Sequence, residues 1–335
     1  MKSWFSSFRP VRIAVMFALC GSAGFACFAC QGGPKAEKLT LSYSANVNAT
    51  LVYVAIEKGF FAREGLDVEA TPCAFGKLAL QNILDGKADV CTVADTPVAL
   101  SIIAGDPLMI FASIQTSSSN EAIVARADRG IEHVADLRGR RLGVTVGTTT
   151  QYVAYVVLLS RGVAENEVTF VNMNPADMPQ ALASGQVDAV ATWNPTIETL
   201  RRHLGKNARL FGADLSYTET MCVVAQGDWL KAHPEAERRF LRALVDASAF
   251  VRDHDGEARV LVARLLGIDQ SILDSIWGIF SFRVALGQGF LVDLEDQARW
   301  LVDLSGNRKV MPGFLAHFDT SGLESVDPGA VDIIH

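Results

Sequence analysis

The chain has 335 residues, 50% of them hydrophobic and 20% charged, with a formal charge of −7. That length suits about two α/β cores, and the composition lacks the polar bias of a disordered chain. Acidic residues outnumber basic ones, 37 to 30, which argues against nucleic acid as a partner. In chain order, residues 1–30 come first and stand apart: Lys2, Arg9 and Arg12 are followed by an apolar run over 13–28, with no acidic residue before Glu37. This is the pattern of a secretory signal, and its apolar part is short for a membrane span. Without it the chain carries 27 basic and 37 acidic residues, a formal −10.

The signal ends in Gly24-Phe25-Ala26-Cys27-Phe28-Ala29-Cys30, followed by Gln31-Gly32-Gly33-Pro34, and resembles a bacterial lipoprotein cleavage region. The usual Leu three places before the cysteine is missing for both Cys27 and Cys30. A Gly/Pro linker over 31–38 follows at once, so lipid is expected on Cys30, with ordinary cleavage to a soluble protein as the alternative. Three cysteines remain in the body: Cys73, Cys91 and Cys222. An odd count without CxxC gives no disulfide framework, and they read as small core residues.

From residue 39 the chain alternates strands with helices. Residues 39–45 read as a strand, 46–50 as a polar turn, 51–58 as a helix stopped by Gly59, and 66–70 as a second strand. The same order returns about one hundred residues later, with strand 142–146, a turn at Gly147-Thr148-Thr149-Thr150, a helix over 152–160 stopped by Gly162, and strand 168–173. The next segments match too, residues 85–97 beside 183–195. In each, a glycine ends a helix, Asp89 or Asp188 introduces an apolar strand, and Asp95 or Asn194 with a proline opens the next helix. Two similar lobes follow, each a mostly parallel sheet covered by helices. Strand 108–114 and the polar patch 115–120 close the first series, and 121–127 leads into the second. Residues 208–212 read as the last strand of the second lobe, 221–225 as a strand returning to the first, and four helices follow within 234–304. The expected boundaries are 39–124 with 216–335 for lobe 1, which holds the extra C-terminal helices, and 125–215 for lobe 2.

In such sheets ligands sit beyond the carboxyl ends of the strands. That rule collects Asn46, Phe75, Asp95, Thr96, Thr116, Gly147, Thr148, Thr149, Trp193 and Asn194, nearly all hydroxyl, amide or glycine positions. The threonine turn opens a helix, so its N–H groups seat an anion or serve the helix alone. Asp95 caps a helix or meets an amine, and Trp193 lines a pocket or packs on its neighbours. Phe75 covers a ligand or staples a helix, and the patch 115–120 is a loop at a cleft or a surface turn. Glu219, at the return crossing, faces the cleft or lies on the surface. Chemistry that would mark an enzyme is sparse. The six histidines form no HxxxH or HExxH pair, no cysteines have zinc spacing, and GxxxxGK[ST] and GxGxxG are absent. No metal, no cofactor and no catalytic residue are expected.

Several words of the sequence resemble a known family. They are Glu57-Lys58-Gly59-Phe60-Phe61-Ala62-Arg63-Glu64-Gly65-Leu66, Gly86-Lys87-Ala88-Asp89, Asp136-Leu137-Arg138-Gly139, Asn174-Pro175-Ala176-Asp177-Met178 and Trp193-Asn194-Pro195. Over about residues 39–330 the chain resembles the substrate-binding proteins of ABC importers for nitrate, sulfonates and taurine, with the type 2 periplasmic-binding fold. The resemblance implies a monomer in the periplasm or at the cell surface, closing on a small polar or anionic ligand and delivering it to a permease with a cytoplasmic ATPase. It places ligand contacts on Asn46, Asp95, Thr96, Thr148, Thr149 and Trp193, with Phe75 and Glu219 beside them. None of these is an arginine, so helix ends and hydroxyls would hold an anion. The runner-up is a binding protein for a pyrimidine or other vitamin precursor, with Trp193 or Phe75 stacked on a ring. A pyrimidine-forming enzyme on the same fold would need a reactive His or Cys in the cleft.

Overall fold

The computed structural model describes residues 36–212, 217–304 and 311–334. Cys27 and Cys30 lie outside them. Among the described residues there are ten strands: β1 (Glu37–Ser44), β2 (Leu66–Cys73), β3 (Val90–Ala94), β4 (Leu108–Ser117), β5 (Glu121–Arg126), β6 (Arg141–Val144), β7 (Thr169–Asn172), β8 (Ala189–Trp193), β9 (Ala208–Phe211) and β10 (Glu219–Gln226). They form two five-stranded sheets, ordered β2-β1-β3-β10-β4 and β7-β6-β8-β5-β9. Each sheet has three parallel strands, then a strand received from a crossing, then an edge strand, so the sequence repeat is also a repeat of topology.

Each sheet is mixed: four strands run one way, as expected of a mostly parallel sheet, and one runs against them. β10 runs antiparallel to β3 and β4, and β5 antiparallel to β8 and β9. The reason is that β5 and β10 enter from the other lobe and come back along the sheet. The crossing also lies earlier than the expected boundary at 124/125. Glu121 already pairs with Trp193 of the second sheet, so the chain changes lobes at 118–120. The helices of the first lobe's series are α1 (Thr50–Glu57), α2 (Phe60–Arg63), α3 (Gly76–Leu84) and α4 (Asp95–Ala104). Those of the second are α5 (Thr149–Ser160), α6 (Met178–Ser184) and α7 (Thr196–Leu204). The helix expected over 152–160 begins three residues earlier, taking Thr149 and Thr150 into its first turn.

One pair of residues shows how the repeat is built. Asp89, just before β3, accepts hydrogen bonds from the Thr40 N–H (2.8 Å) and hydroxyl (2.6 Å) of β1. Asp188, just before β8, accepts from the Arg141 N–H of β6 at 2.8 Å. In both lobes an aspartate thus ties the start of the third strand to the first and sets the register of the strand ends above it.

The C-terminal helices are α8 (Gly227–Ala232), α9 (Pro234–Asp253), α10 (Asp255–Leu266), α11 (Gln270–Ile276), α12 (Gln288–Leu304) and α13 (Ser321–Val326). They pack on the first lobe, with Phe240 of α9 stacked on Phe61 at 5.1 Å. Two of them also reach the second lobe. Trp300 of α12 lies 5.0 Å from the rings of both Tyr152 and Tyr155 of α5, and Arg202 of α7 donates to the Ser271 hydroxyl and carbonyl of α11.

Glu237, on α9 under α13, is buried with Oε1 unpartnered, and Gly322 leaves the space its carboxyl fills. Burial, reinforced by Asp319, pushes the carboxyl up to about 7 from its ordinary 4.5. The folded chain therefore holds a proton that the unfolded chain has released, and this group's contribution is full below pH 4.5 and lost as the pH rises through 7. Glu237→Gln should remove a loss of at most about 3 kcal/mol between those limits. Urea unfolding at pH 5 and pH 8 would read it as a smaller difference in the variant than in the parent.

Candidate functional site

The carboxyl ends of the two sheets face each other across a narrow cavity of about 30 Å³. The first lobe lines it with Ser44 and Asn46 after β1, Phe75-Gly76-Lys77 at the start of α3, and Glu219 and Met221 of β10. The second lobe contributes Glu121 of β5, Thr148, Thr149 and Thr150 at the start of α5, and Trp193 at the end of β8. The turns are where the topology repeat puts them, one from each lobe's first βα connection and one from its third strand.

Local chemistry shapes each turn. The Asn46 side chain accepts from the Asn48 N–H at 3.1 Å, an Asx turn that stops β1 and opens the following helical turn. Glycine at 76 permits a close approach, since a Cβ there would lie 3.1 Å from the Val93 Cα of β3, tighter than ordinary packing. That close approach lays the first turn of α3 on the cavity floor. Thr148 donates its hydroxyl to the Thr145 carbonyl at 2.7 Å and shares a 2.9 Å hydrogen bond with Thr150, so the threonine turn is held by its own hydroxyls. Lys77 of the first lobe donates to the Val146 carbonyl of the second at 3.0 Å. The first-turn N–H groups of α3 and α5 have no acceptors inside their helices, so with Lys77 this wall is electropositive.

Two buried carboxyls line the same cavity. Glu121 and Glu219 are the first residues of β5 and β10, hence the first residues after the two crossings between lobes. Glu219 accepts from Asn48 Nδ2 at 2.9 Å and from Asn120 Nδ2 at 2.8 Å, and Asn120 Nδ2 also lies 3.3 Å from Glu121 Oε1. Burial raises both carboxyls above their usual range, and the two share the Asn120 amide as a donor. Asn120 is buried at the crossing and takes the Asn194 N–H on its own carbonyl at 3.1 Å. The polar patch 115–120 therefore ends in the cleft wall rather than in a surface turn.

Of the residues expected at the site, Asn46, Phe75, Thr148, Thr149, Trp193 and Glu219 line the cavity. Glu219 is 3% exposed, which corrects the surface alternative. Five others do not line it. Asp95 is fully buried, with Oδ1 accepting from the Thr96 N–H and the Thr149 hydroxyl, and Oδ2 from the Tyr217 hydroxyl and the Thr220 N–H. Its oxygens are occupied by protein donors, so it ties the lobes together behind the cavity. The Thr96 hydroxyl donates to Gln297 of α12 at 2.5 Å, and Thr116 sits in β4 opposite Thr220. Asn194 packs under Asn120, next to a cis peptide bond to Pro195. Gly147, with φ +75°, borders a neighbouring hollow with Leu100 and Gln81. Sequence reasoning missed Lys77 and Glu121. Lys77 stands two positions after the selected Phe75, and Glu121 is a lone carboxylate opening the otherwise apolar run Ala122-Ile123-Val124-Ala125.

Residues 46–258 match the model of the family described as NMT1/THI5 like. The chain belongs to that family. Its members' likeness reaches curated relatives at modest identity. A protein of Brucella abortus (strain 2308), named for binding without a stated ligand, is 26% identical over 231 residues, 68% of this chain and 70% of its own. The taurine-binding periplasmic protein of Escherichia coli K12 is 24% identical over 217 residues, 64% and 67% of the two chains. Among solved structures, the alkanesulfonate-binding protein SsuA of Xanthomonas axonopodis pv. citri, bound to MOPS, superposes with a TM-score of 0.71 at 19% identity, covering 86% of this chain and 99% of that one. The desulfurization enzyme DSZB shares the fold as well, with a TM-score of 0.62 at 19% identity over 87% and 98% of the chains. This NMT1/THI5-like chain thus has the periplasmic-binding-protein fold, a scaffold used for both capture and catalysis.

Proposed function

We propose that this chain is the extracytoplasmic solute-binding protein of an ABC importer, carried on the outer side of the membrane and tethered through Cys30. It captures one small polar solute between its lobes and presents it to the permease. The observation that carries this reading is the cavity itself, lined from both lobes by turns at the strand ends, with Phe75 and Trp193 among the hydroxyl and charged groups. A site divided between two bodies binds tightly only when they close on the ligand, which couples capture to a change of shape a permease can read. Lys77 and the first turns of α3 and α5 suit a sulfonate-like oxyanion head. A reading as a binding protein for a ring-bearing vitamin precursor draws on Phe75 and Trp193. Capture rather than conversion fits the lining residues, which include neither histidine nor cysteine. The Cys91 thiol is buried and pushed up by desolvation, away from reactive thiolate character.

The experiment is a thermal-shift screen against taurine, alkanesulfonates, nitrate, bicarbonate, pyrimidines and flavins. A solute at one hundred times its dissociation constant adds about 2.7 kcal/mol to stability, a shift of several degrees. A shift with a sulfonate supports the oxyanion reading, and a shift only with a ring compound moves the ligand to the vitamin-precursor class. No shift with any member of the panel would count against solute capture.

A further inference from the structure

We propose that Glu121 and Glu219 form a two-carboxyl seat that selects solutes bearing a protonated nitrogen, and that the incoming cation displaces a proton the pair shares. The inference rests on the solute-binding reading above and names the class of solute the site takes.

Three observations converge on it. First, both carboxyls line the cavity while being 6% and 3% exposed, and the groups that donate to them are the amides of Asn48 and Asn120, neither of them a cation. Two carboxyls sharing one amide donor in a dry wall hold one proton between them, since both ionising together without a counter-charge is strongly disfavoured. Second, the lining leaves an acceptor unpaired. Ser44 lines the cavity and its buried Oγ has no partner. Such a group is completed by a solute that brings an N–H donor. Third, the same cavity is lined by Lys77 and the first turns of α3 and α5. It thus brings acidic and cationic groups together, and suits a solute with both an anionic head and an ammonium or amidinium group.

The exchange balances simply. The solute nitrogen keeps its protons and its charge, the proton shared by Glu121 and Glu219 leaves to solvent, and two carboxylates then face one cation. The other titratable groups around the pair do not supply this proton. Asp95 is held by four protein donors, the half-buried Tyr217 and the buried Cys222 have raised pKa values, and Lys77 donates to the Val146 carbonyl.

Isothermal titration of the purified protein with 2-aminoethanesulfonate, ethanesulfonate and ethylammonium tests the proposal, each at pH 6 and pH 8 and in two buffers of different ionisation enthalpy. The aminosulfonate should bind at least about 30-fold more tightly than ethanesulfonate, release close to one proton at pH 6, and gain on ethanesulfonate as the pH rises. Glu219→Gln should remove most of that advantage and abolish the proton release, and Glu121→Gln, a second variant that keeps the shape of the wall, should do the same. If ethanesulfonate binds as tightly as the aminosulfonate and no proton is released, the seat is wrong while solute capture stands. If none of the three probes nor any member of the thermal-shift panel binds, both fall.

Discussion

Replacing Trp193 and Thr149 together by alanine should weaken solute binding by about 100-fold or more, and equilibrium titration against the parent is the measurement that reads it. The two residues belong to the second lobe and line the cavity, one at the end of β8 and one in the first turn of α5. Trp193 supplies the largest apolar surface on that side, and losing such a contact to an enclosed ligand costs about 2 kcal/mol. The Thr149 hydroxyl adds roughly 1 kcal/mol as a hydrogen-bonding group. The sum converts to about two orders of magnitude in affinity. Trp193 is only partly buried and stands at a strand end, so the stability cost should come mainly from Thr149, one of the four donors to Asp95. Unchanged affinity in the double variant would remove this cavity from consideration as the binding site.

Asp95→Ala should act on the fold instead, lowering stability by about 3–4 kcal/mol in denaturant unfolding. The carboxylate is fully buried and gathers donors from four residues: Thr96 beside it, Thr149 of the second lobe, Tyr217 and Thr220 of the return crossing. Removing it strands those donors away from water. The loss should exceed that of Thr96→Val, which breaks the single hydrogen bond to Gln297. A variant as stable as the parent would mean that the lobes are not tied through this residue.

The architecture was legible because it is repeated. Glycines that stop helices at Gly59 and Gly162, both with positive φ, and aspartates that introduce strands at Asp89 and Asp188 occur at matching places in each lobe, and local rules read them correctly. Strand direction was not legible in the same way. An antiparallel strand that arrives through a crossing has the same apolar pattern as a parallel one, and only the partner it meets makes the sheet mixed. The site was legible as a set of turns, for strand-end positions follow from the fold. Which of two adjacent turn residues faces the cavity did not follow. Asp95 and Thr96 looked as suitable as Thr148 and Thr149, yet β10 and α12 cover the first pair, and no local pattern records what a distant element covers. Glu121 was hidden for the opposite reason: its neighbours mark it as the start of a buried strand, and its place beside Glu219 depends on a partner 98 positions away in the chain. The only local sign was a carboxylate at the entrance to an apolar run.

The central claim is that a single small solute sits between the lobes and touches both. A crystal structure of the protein with whichever solute gives the largest thermal shift tests it most directly. Density is expected inside the cavity, in contact with Ser44 or Phe75 of the first lobe and Thr149 or Trp193 of the second, with the solute nitrogen against Glu121 and Glu219. Density confined to one lobe, or lying outside this cleft, would contradict it.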